Sequence, residues 1–357
     1  MIHHRTPQFS ALFGEIRAQL QTLFQTEQDV LLLAASGTGA MEAAVNNCFA
    51  PGDEVIVVNG GKFGERWLKL AQIFGLQPIE IRVEWGRAVR PEQVERALSE
   101  HPNAKGILVQ ASETSTTVVH PIKPLAAIAR NSDALLLVDG ITAVGVYDIP
   151  MDRWGIDVLI TGSQKALMLP PGLAMIALSA RAWTRVERVR QPRFYFDLAR
   201  ERANQTKHTT AWTPAISLVI GLREALNMID EEGLPNVFER HGRLARATRA
   251  GAAALGLRAV APDSPSPAVT GVYVPDGIDG AKLFAYLRDR MRVVFAGGQD
   301  HLKGKILRIA HLGYMDSFDV ITGIAAVEMA LKRFGHPVEL GRGVGAAEAE
   351  LMTALPE

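Results

Sequence analysis

The chain has 357 residues and is electrically balanced, with 38 lysines and arginines against 38 aspartates and glutamates. This balance argues against a nucleic acid or an anionic membrane surface as the partner, because such surfaces are bound through an excess of basic side chains. With 48% hydrophobic and 21% charged residues, the composition is that of a globular protein with an ample core. The length predicts two domains, and a small-molecule partner is favoured.

The N-terminal residues 1–7 contain no apolar segment like that of a signal peptide, and no later apolar run reaches the length of a membrane span. We therefore expect a cytoplasmic protein. The single cysteine, Cys48, excludes an internal disulfide. It lies in a helical pattern and is predicted to be a small core residue, which argues against cysteine-dependent sulfur chemistry.

Short apolar runs alternate with helical patterns over residues 30–180, which is typical of a mostly parallel sheet covered by helices on both faces. Helices are predicted over Phe63–Phe74 and Pro91–Glu100, the second with proline in its first turn. We predict an α/β fold in which seven strands form one sheet sandwiched by helices. These strands are expected at 30–34, 54–58, 78–82, 105–110, 134–138, 157–161 and 173–178.

A second, smaller unit is predicted after a helix-rich stretch from Ala180 to about Leu257. A proline-rich segment at 261–267 breaks the chain. Beyond it, strands over Val269–Val274 and Ile306–Ile309 flank a helix at about 279–289, which predicts a compact α+β domain.

These patterns divide the chain into a large domain at 1–243, whose N-terminal segment could join the small domain, and a small C-terminal domain at 244–357. The tail from Gly341 to Glu357 is rich in alanine and glutamate. We expect this tail to close as a helix over the body.

An aspartate and a lysine stand at the ends of two neighbouring predicted strands. Asp139 ends the run Leu135–Val138, and Ser163-Gln164-Lys165 follows the run Val158–Ile160. Open α/β sheets bind ligands beyond the carboxyl ends of their strands. A lysine that forms a Schiff base, with an acid that holds a pyridinium nitrogen, is what pyridoxal phosphate requires. The pair predicts that cofactor, although either residue alone is also explained as an ordinary strand-end acid or a solvated loop amine.

A glycine-rich turn, Ser36-Gly37-Thr38-Gly39, follows the first strand and enters a helix. Backbone N–H groups there can approach an anion at the positive end of the helix. Plain helix capping explains the same residues. The spacing matches neither the Walker loop nor the dinucleotide fingerprint, so a nucleotide is the less favoured occupant.

Two further segments follow strands at the same sheet edge. Glu113-Thr114-Ser115-Thr116 brings hydroxyls that can donate to a ring oxygen, or that simply satisfy their own turn. Phe63, among the glycines of Gly60-Gly61-Lys62-Phe63-Gly64, could stack on a flat ring or be a core residue.

Arg308 interrupts an apolar strand of the second domain. A buried arginine is costly unless it meets an anion, and its planar fork suits a carboxylate. An interdomain salt bridge is the alternative.

His3, His4 and His208 are interpreted as surface or loop histidines. Because no His, Cys, Asp or Glu grouping has metal-ligand spacing, no metal is predicted.

Taken together, these residues resemble the class V aminotransferases of pyridoxal phosphate fold type I, most closely the alanine–glyoxylate and serine–glyoxylate aminotransferases. The resemblance covers nearly the whole chain. It rests on eight motifs in the family's order, which are His4-Arg5-Thr6-Pro7-Gln8-Phe9, Ser36-Gly37-Thr38-Gly39-Ala40-Met41-Glu42-Ala43-Ala44, Lys62-Phe63-Gly64-Glu65-Arg66, Glu113-Thr114-Ser115-Thr116, Val138-Asp139-Gly140-Ile141, Gly162-Ser163-Gln164-Lys165-Ala166, Thr213-Pro214-Ala215 and Leu307-Arg308-Ile309.

The resemblance implies a role for each residue around the cofactor ring. Lys165 would carry the cofactor as a Schiff base, and Asp139 would keep the pyridine nitrogen protonated. Phe63 would stack on one ring face, where many relatives have tryptophan, and Ile141 would press on the other. Thr114 would approach the ring oxygen.

The resemblance also implies how phosphate and substrate are held. Gly37 and Thr38 would bind the phosphate through backbone amides, with Ser36 and Gln164 nearby. Arg308 would take the substrate carboxylate.

Thr213, with Thr210 as a second candidate, would reach the phosphate of the neighbouring subunit, which implies a homodimer with shared active sites.

The expected function is transfer of an amino group from serine or alanine to glyoxylate or pyruvate. Aspartate, phosphonate or ureidoglycine transamination and a pyridoxal phosphate lyase remain alternatives. A desulfurase is disfavoured because Cys48 is poorly placed. A non-catalytic scaffold, or a subunit that copurifies with another enzyme, is the alternative from another class.

Overall fold

A computed structural model describes residues 2–353, and its centre is a seven-stranded sheet. All seven predicted strands belong to this sheet. Two further short strands form a small hairpin beside it. In chain order the strands are β1 Val30–Leu33, β2 Glu54–Asn59, β3 Gln77–Arg82, β4 Gly106–Gln110, β5 Ser112–Glu113, β6 Val118–Val119, β7 Leu135–Asp139, β8 Val158–Gly162 and β9 Ala174–Leu178.

The sheet has the order β1-β9-β8-β7-β4-β2-β3 and is mostly parallel, as predicted. Strands β8, β7, β4, β2 and β3 run in one direction, whereas β9 is antiparallel to both β8 and β1. The carboxyl ends of β4, β7 and β8 therefore meet at one edge. The segments that follow these strands build the site.

Helices cover both faces of this sheet. The predicted helices are present as α3 and α4, within one residue of their expected bounds. Pro7 occupies the first turn of α1, where the missing N–H costs nothing. The helices up to the second unit are α1 Pro7–Phe24, α2 Gly37–Cys48, α3 Lys62–Ile73, α4 Pro91–Glu100, α5 Ile122–Arg130, α6 Met151–Trp154, α7 Ala180–Arg188, α8 Leu198–Gln205, α9 Ile216–Glu232 and α10 Leu234–Ala254.

Two apolar cores, one on each face, hold the layers together. Helices α1, α4, α5 and α9 pack on one face, and α2, α3 and α7 pack on the other. The central strands are buried on both faces, which explains why they read as continuous apolar runs rather than as alternating ones. Cys48 is fully buried in the second core, as predicted.

The second unit is a three-stranded antiparallel sheet packed on helices, which confirms the predicted α+β pattern. It contains β10 Val269–Tyr273, α11 Gly280–Asp289, β11 Ala296–Gly297, a short 3₁₀ helix at Asp300–Leu302, β12 Ile306–Ala310, α12 Ser317–Arg333 and α13 Arg342–Met352.

The chain passes from one unit to the other through α10, which packs on both α9 and α13. The domain boundary at 243/244 falls inside this helix and stays a prediction. The predicted tail helix is present as α13, while residues 354–357 lie outside the described residues. No helix in 2–353 is long and apolar enough to cross a bilayer.

Candidate active site

Lys165 lies on a tight loop between β8 and β9 that Ser163 closes. The Ser163 hydroxyl donates to the carbonyl of Pro170 at 2.8 Å and accepts from Leu173 N at 3.2 Å. The Ser163 carbonyl accepts from Leu169 N at 3.0 Å. Because Ser163 is fully buried, these bonds hold the lysine at the carboxyl end of β8, beside the end of β7 where Asp139 lies.

A cavity of about 110 Å³ opens at this edge of the sheet. Nine of the predicted cofactor residues line it together, although they come from five separate segments of the chain. They are Ser36, Gly37, Thr38, Phe63, Thr114, Asp139, Ile141, Gln164 and Lys165.

Burial shifts the ionisation of the two central groups in opposite directions. It raises the pKa of Asp139 to about 6, although Ile141 N, Arg66 and Lys165 oppose the shift. Burial, together with the positive charge of Arg308, lowers the pKa of Lys165. Burial disfavours the charged form of either group, so Lys165 loses its proton more easily than an exposed lysine does.

The start of α2 lines one end of the cavity. The Ser36 carbonyl accepts from Gly39 N at 2.8 Å. The N–H groups of Gly37 and Thr38 have no acceptor within residues 2–353. A Cβ on Gly37 would fall 2.3 Å from Cδ1 of Ile141, so a larger residue there would displace the Ile141 side chain. These free N–H groups at a helix N-terminus can bind a phosphate.

Three further residues line the cavity, and the sequence reasoning gave them no role: Arg66, Ser112 and Thr142. Arg66 donates to Oγ1 of Thr38 at 3.0 Å, and its guanidinium lies 4.9 Å from the centre of the Phe63 ring. It is one helical turn after Phe63, so the spacing of α3 could have indicated it. Thr142 shares a 2.7 Å hydrogen bond with the Thr114 hydroxyl.

A second cavity, of about 460 Å³, adjoins the first and contains Arg308. Lys165, Thr114 and Thr142 line both cavities. Arg308 donates to the carbonyls of Gly297 and Thr114, each at 2.9 Å. Within the described residues it has no carboxylate partner in a salt bridge. The interdomain salt bridge considered for Arg308 is therefore wrong.

Thr210 and Thr213 lie elsewhere, in a different cavity beside Tyr195 and Trp212. The Thr210 hydroxyl donates to the carbonyl of Trp212 at 2.6 Å. These two threonines do not line the cofactor cavity of their own chain, and their predicted contact with a neighbouring subunit stays a prediction.

A family model for class-V aminotransferases matches residues 1–310. The chain belongs to this family. It is 40% identical to a Synechococcus sp. protein named "Soluble hydrogenase, small subunit", covering 99% of this chain and 93% of the relative. It is 36% identical to a serine–glyoxylate aminotransferase of Methylorubrum extorquens, covering 98% and 90%. A ureidoglycine–glyoxylate aminotransferase structure from Bacillus subtilis superposes with a TM-score of 0.93 at 30% identity, covering 98% and 92%.

Class-V aminotransferases depend on pyridoxal phosphate, and the residues present fit this cofactor. The free N–H groups of Gly37 and Thr38 at the start of α2 suit a phosphate. Oε1 of Gln164 is buried without a hydrogen-bond partner in residues 2–353, so it is free to receive a donor. Asp139 and Lys165, which line the same cavity, are an acid and an amine of the kind that the ring requires. The fold, the family and the cofactor expected from the sequence are thus confirmed.

Proposed function

We propose that this protein transfers an amino group from a small amino acid, such as serine or alanine, to a 2-oxo acid, such as glyoxylate or pyruvate. The observation that carries the proposal is one continuous site with Lys165 and Asp139 at one end and Arg308 at the other. The relatives' printed substrates support the same class of reaction.

Pyridoxal phosphate supplies an aldehyde that condenses with amines and a ring that accepts electrons. Oδ1 of Asp139 accepts from Ile141 N at 2.9 Å. Oδ2 would therefore be left to accept a hydrogen bond from the protonated pyridine nitrogen. Phe63 and Ile141 would bound the ring. Lys165 would hold the cofactor until the substrate amine takes its place, and its freed Nζ, with its lowered pKa, would then be the base that removes the proton from the substrate Cα.

Arg308 is proposed to bind the substrate carboxylate. Its bonds to two backbone carbonyls use Nε–H and one N–H of Nη1, so the second N–H of Nη1 and both N–H groups of Nη2 stay available for an anion. These carbonyls fix the direction of the guanidinium without neutralising it. A carboxylate bound there would align the Cα–H bond with Lys165.

The experiment that tests the function adds amino acids singly to the cofactor-loaded protein without an acceptor and follows the absorbance band of the bound cofactor. Serine or alanine is expected to remove the band, and glyoxylate or pyruvate to restore it. If no amino acid changes the band, the protein is not a transaminase.

The second candidate is a non-catalytic subunit. The observation that favours it is the printed name of the Synechococcus relative, which denotes a hydrogenase subunit. The same panel separates the two candidates, because a subunit without activity would leave the band unchanged with every amino acid. A lyase would remove amino-acid substrate without forming product from the 2-oxo acid.

For Arg308→Lys we expect a loss of kcat/KM for amino acids of roughly tenfold or more, because lysine keeps the charge but loses the two-pronged geometry. The cofactor band and the thermal midpoint should barely change. The control substrate is the matching amine without its carboxylate, whose rate should stay close to that of the wild type. A destabilised variant that retains the preference for the carboxylate would refute the proposed role of Arg308 in binding the substrate carboxylate.

We also propose a homodimer in which Thr213 and Thr210 reach the partner's site. An aromatic group on the same surface supports this, since Phe194 is 72% and Tyr195 44% exposed and both rings pack against Trp212. Sedimentation velocity should give a dimer of the 38.7 kDa chain. A monomer with full activity would contradict shared sites.

A further inference from the structure

Helix α3, which carries Phe63 into the cofactor cavity, begins without a cap of its own. Its N-cap residue is Gly61, which has no side chain to accept from the first N–H groups. The carboxylate of Glu113 takes this place. Its Oε2 accepts from Phe63 N at 3.1 Å and from Gly64 N at 3.0 Å.

The other side of the Glu113 carboxylate is held by Ser115. Oε1 accepts from Ser115 N at 3.2 Å and from the Ser115 hydroxyl. That same hydroxyl accepts from Lys62 N at 3.0 Å. Three consecutive N–H groups of α3 are thus bound by the segment that follows β4. Glu113 and Ser115 are both fully buried, so water does not replace these bonds.

The start of α3 is closely packed on both sides. A Cβ on Gly61 would lie 2.5 Å from Cδ of Glu113. A Cβ on Gly64 would lie 2.7 Å from Cα of Asn59, at the end of β2. Phe63 stands between these two glycines, so the backbone that carries its ring is fixed by the Glu113 carboxylate and by β2.

The same segment also contacts Arg308, the residue proposed to bind the substrate carboxylate. The carbonyl of Thr114, the residue after Glu113, accepts from Nη1 of Arg308 at 2.9 Å. The negative charge of the Glu113 carboxylate also acts on Arg308. Burial lowers the pKa of Arg308, and this charge opposes the shift. Glu113 therefore lies between the residue on the ring face and the residue for the substrate carboxylate.

We propose that Glu113 is a positioning residue that sets the Phe63 ring against the cofactor by capping α3 from outside the helix. The proposal rests on the proposed function, because it takes Phe63 as the residue on the ring face. A buried cap that served stability alone would hold the helix without affecting how tightly the cofactor binds.

The first test is Glu113→Gln, measured as the dissociation constant of pyridoxal phosphate and as circular dichroism in its absorbance band. Glutamine keeps the shape, but its NH₂ group must face N–H donors either at α3 or at Ser115. We expect binding to weaken roughly tenfold, the scale of one lost aromatic contact, with a changed dichroic band.

The matched control is Asp157→Asn, which removes another buried carboxylate that accepts a backbone N–H, from Leu136 at 2.8 Å. Asp157 precedes β8, at the far end of the strand from Lys165. This variant should lose thermal stability while binding pyridoxal phosphate like the wild type. If Glu113→Gln behaves in the same way, the cap is structural only and the proposal is overturned.

A double-mutant cycle with Phe63→Leu decides whether Glu113 acts through the ring. If it does, Glu113→Gln should weaken binding by less than about twofold in the Phe63→Leu background, because contacting residues that act through one interaction are not additive. A full tenfold loss in that background would overturn the proposal. So would an unchanged dissociation constant for Phe63→Leu alone.

If Glu113→Gln does not fold, Ser115→Ala replaces it. This variant removes the acceptor of Lys62 N and one donor to Glu113, and should weaken binding by about threefold. Unchanged binding in Ser115→Ala would overturn the proposal. None of these measurements needs turnover, so they give an answer even if no amino acid reacts. A wild-type protein that does not bind pyridoxal phosphate would instead refute the proposed function itself.

Discussion

Replacing Lys165 with alanine is expected to abolish transamination while leaving a folded protein. Lys165 is proposed both to hold the cofactor covalently and to take the Cα proton, and the loss of a positioned base alone costs roughly 10²–10⁴ in rate. Because the loop is held by Ser163 rather than by Lys165, the fold should survive. Steady-state rates with alanine and glyoxylate, together with a thermal scan, measure both effects.

The control for this variant is Lys282→Ala, whose side chain is 77% exposed on the second unit. It should keep both rate and thermal midpoint. Residual activity of Lys165→Ala within tenfold of the wild type would show that another group supplies the base.

Asp139→Asn is expected to give the second largest loss. The substitution keeps the shape and the bond from Ile141 N but removes the charge that would pair with the pyridinium nitrogen. Breaking such a buried pair costs roughly 3–5 kcal/mol, which corresponds to roughly two to four orders of magnitude in rate if it is expressed in the transition state. Rate constants for single turnovers with alanine measure this directly.

The pH dependence of cofactor binding provides the control for Asp139. Burial raises its pKa to about 6 in the unliganded site, so the carboxyl becomes neutral as the pH falls below 6. Binding of pyridoxal phosphate to the wild type should then weaken as the pH is lowered through this value, and Asp139→Asn should lack that step. Near-normal turnover of Asp139→Asn would contradict the proposed role.

The sequence predicted the sheet because its central strands are buried on both faces. A strand such as β7 or β8 then appears as an uninterrupted apolar run, and the polar residue that follows it marks the edge of the sheet. Asp139 and Lys165 could be paired for this reason. Strand direction leaves no such mark, since β9 is as fully buried as β8, to which it is antiparallel.

Other parts of the site depend on contacts that leave no local pattern. The partners of Arg308 are two backbone carbonyls, which no residue type reveals. Arg66 meets Thr38 from a different helix. Glu113 was visible only as part of a motif, because its role as a cap for α3 depends on packing between segments distant in sequence. Such cross-segment bonds become visible only once the chain is folded.

The central claim is that Lys165 is the lysine that holds pyridoxal phosphate. Borohydride reduction of the cofactor-loaded protein, followed by peptide mapping, tests it most directly. The label is expected on Lys165, and the Lys165→Ala variant should take up none. A label on Lys62 or Lys207, or an equal label in the variant, would contradict the account.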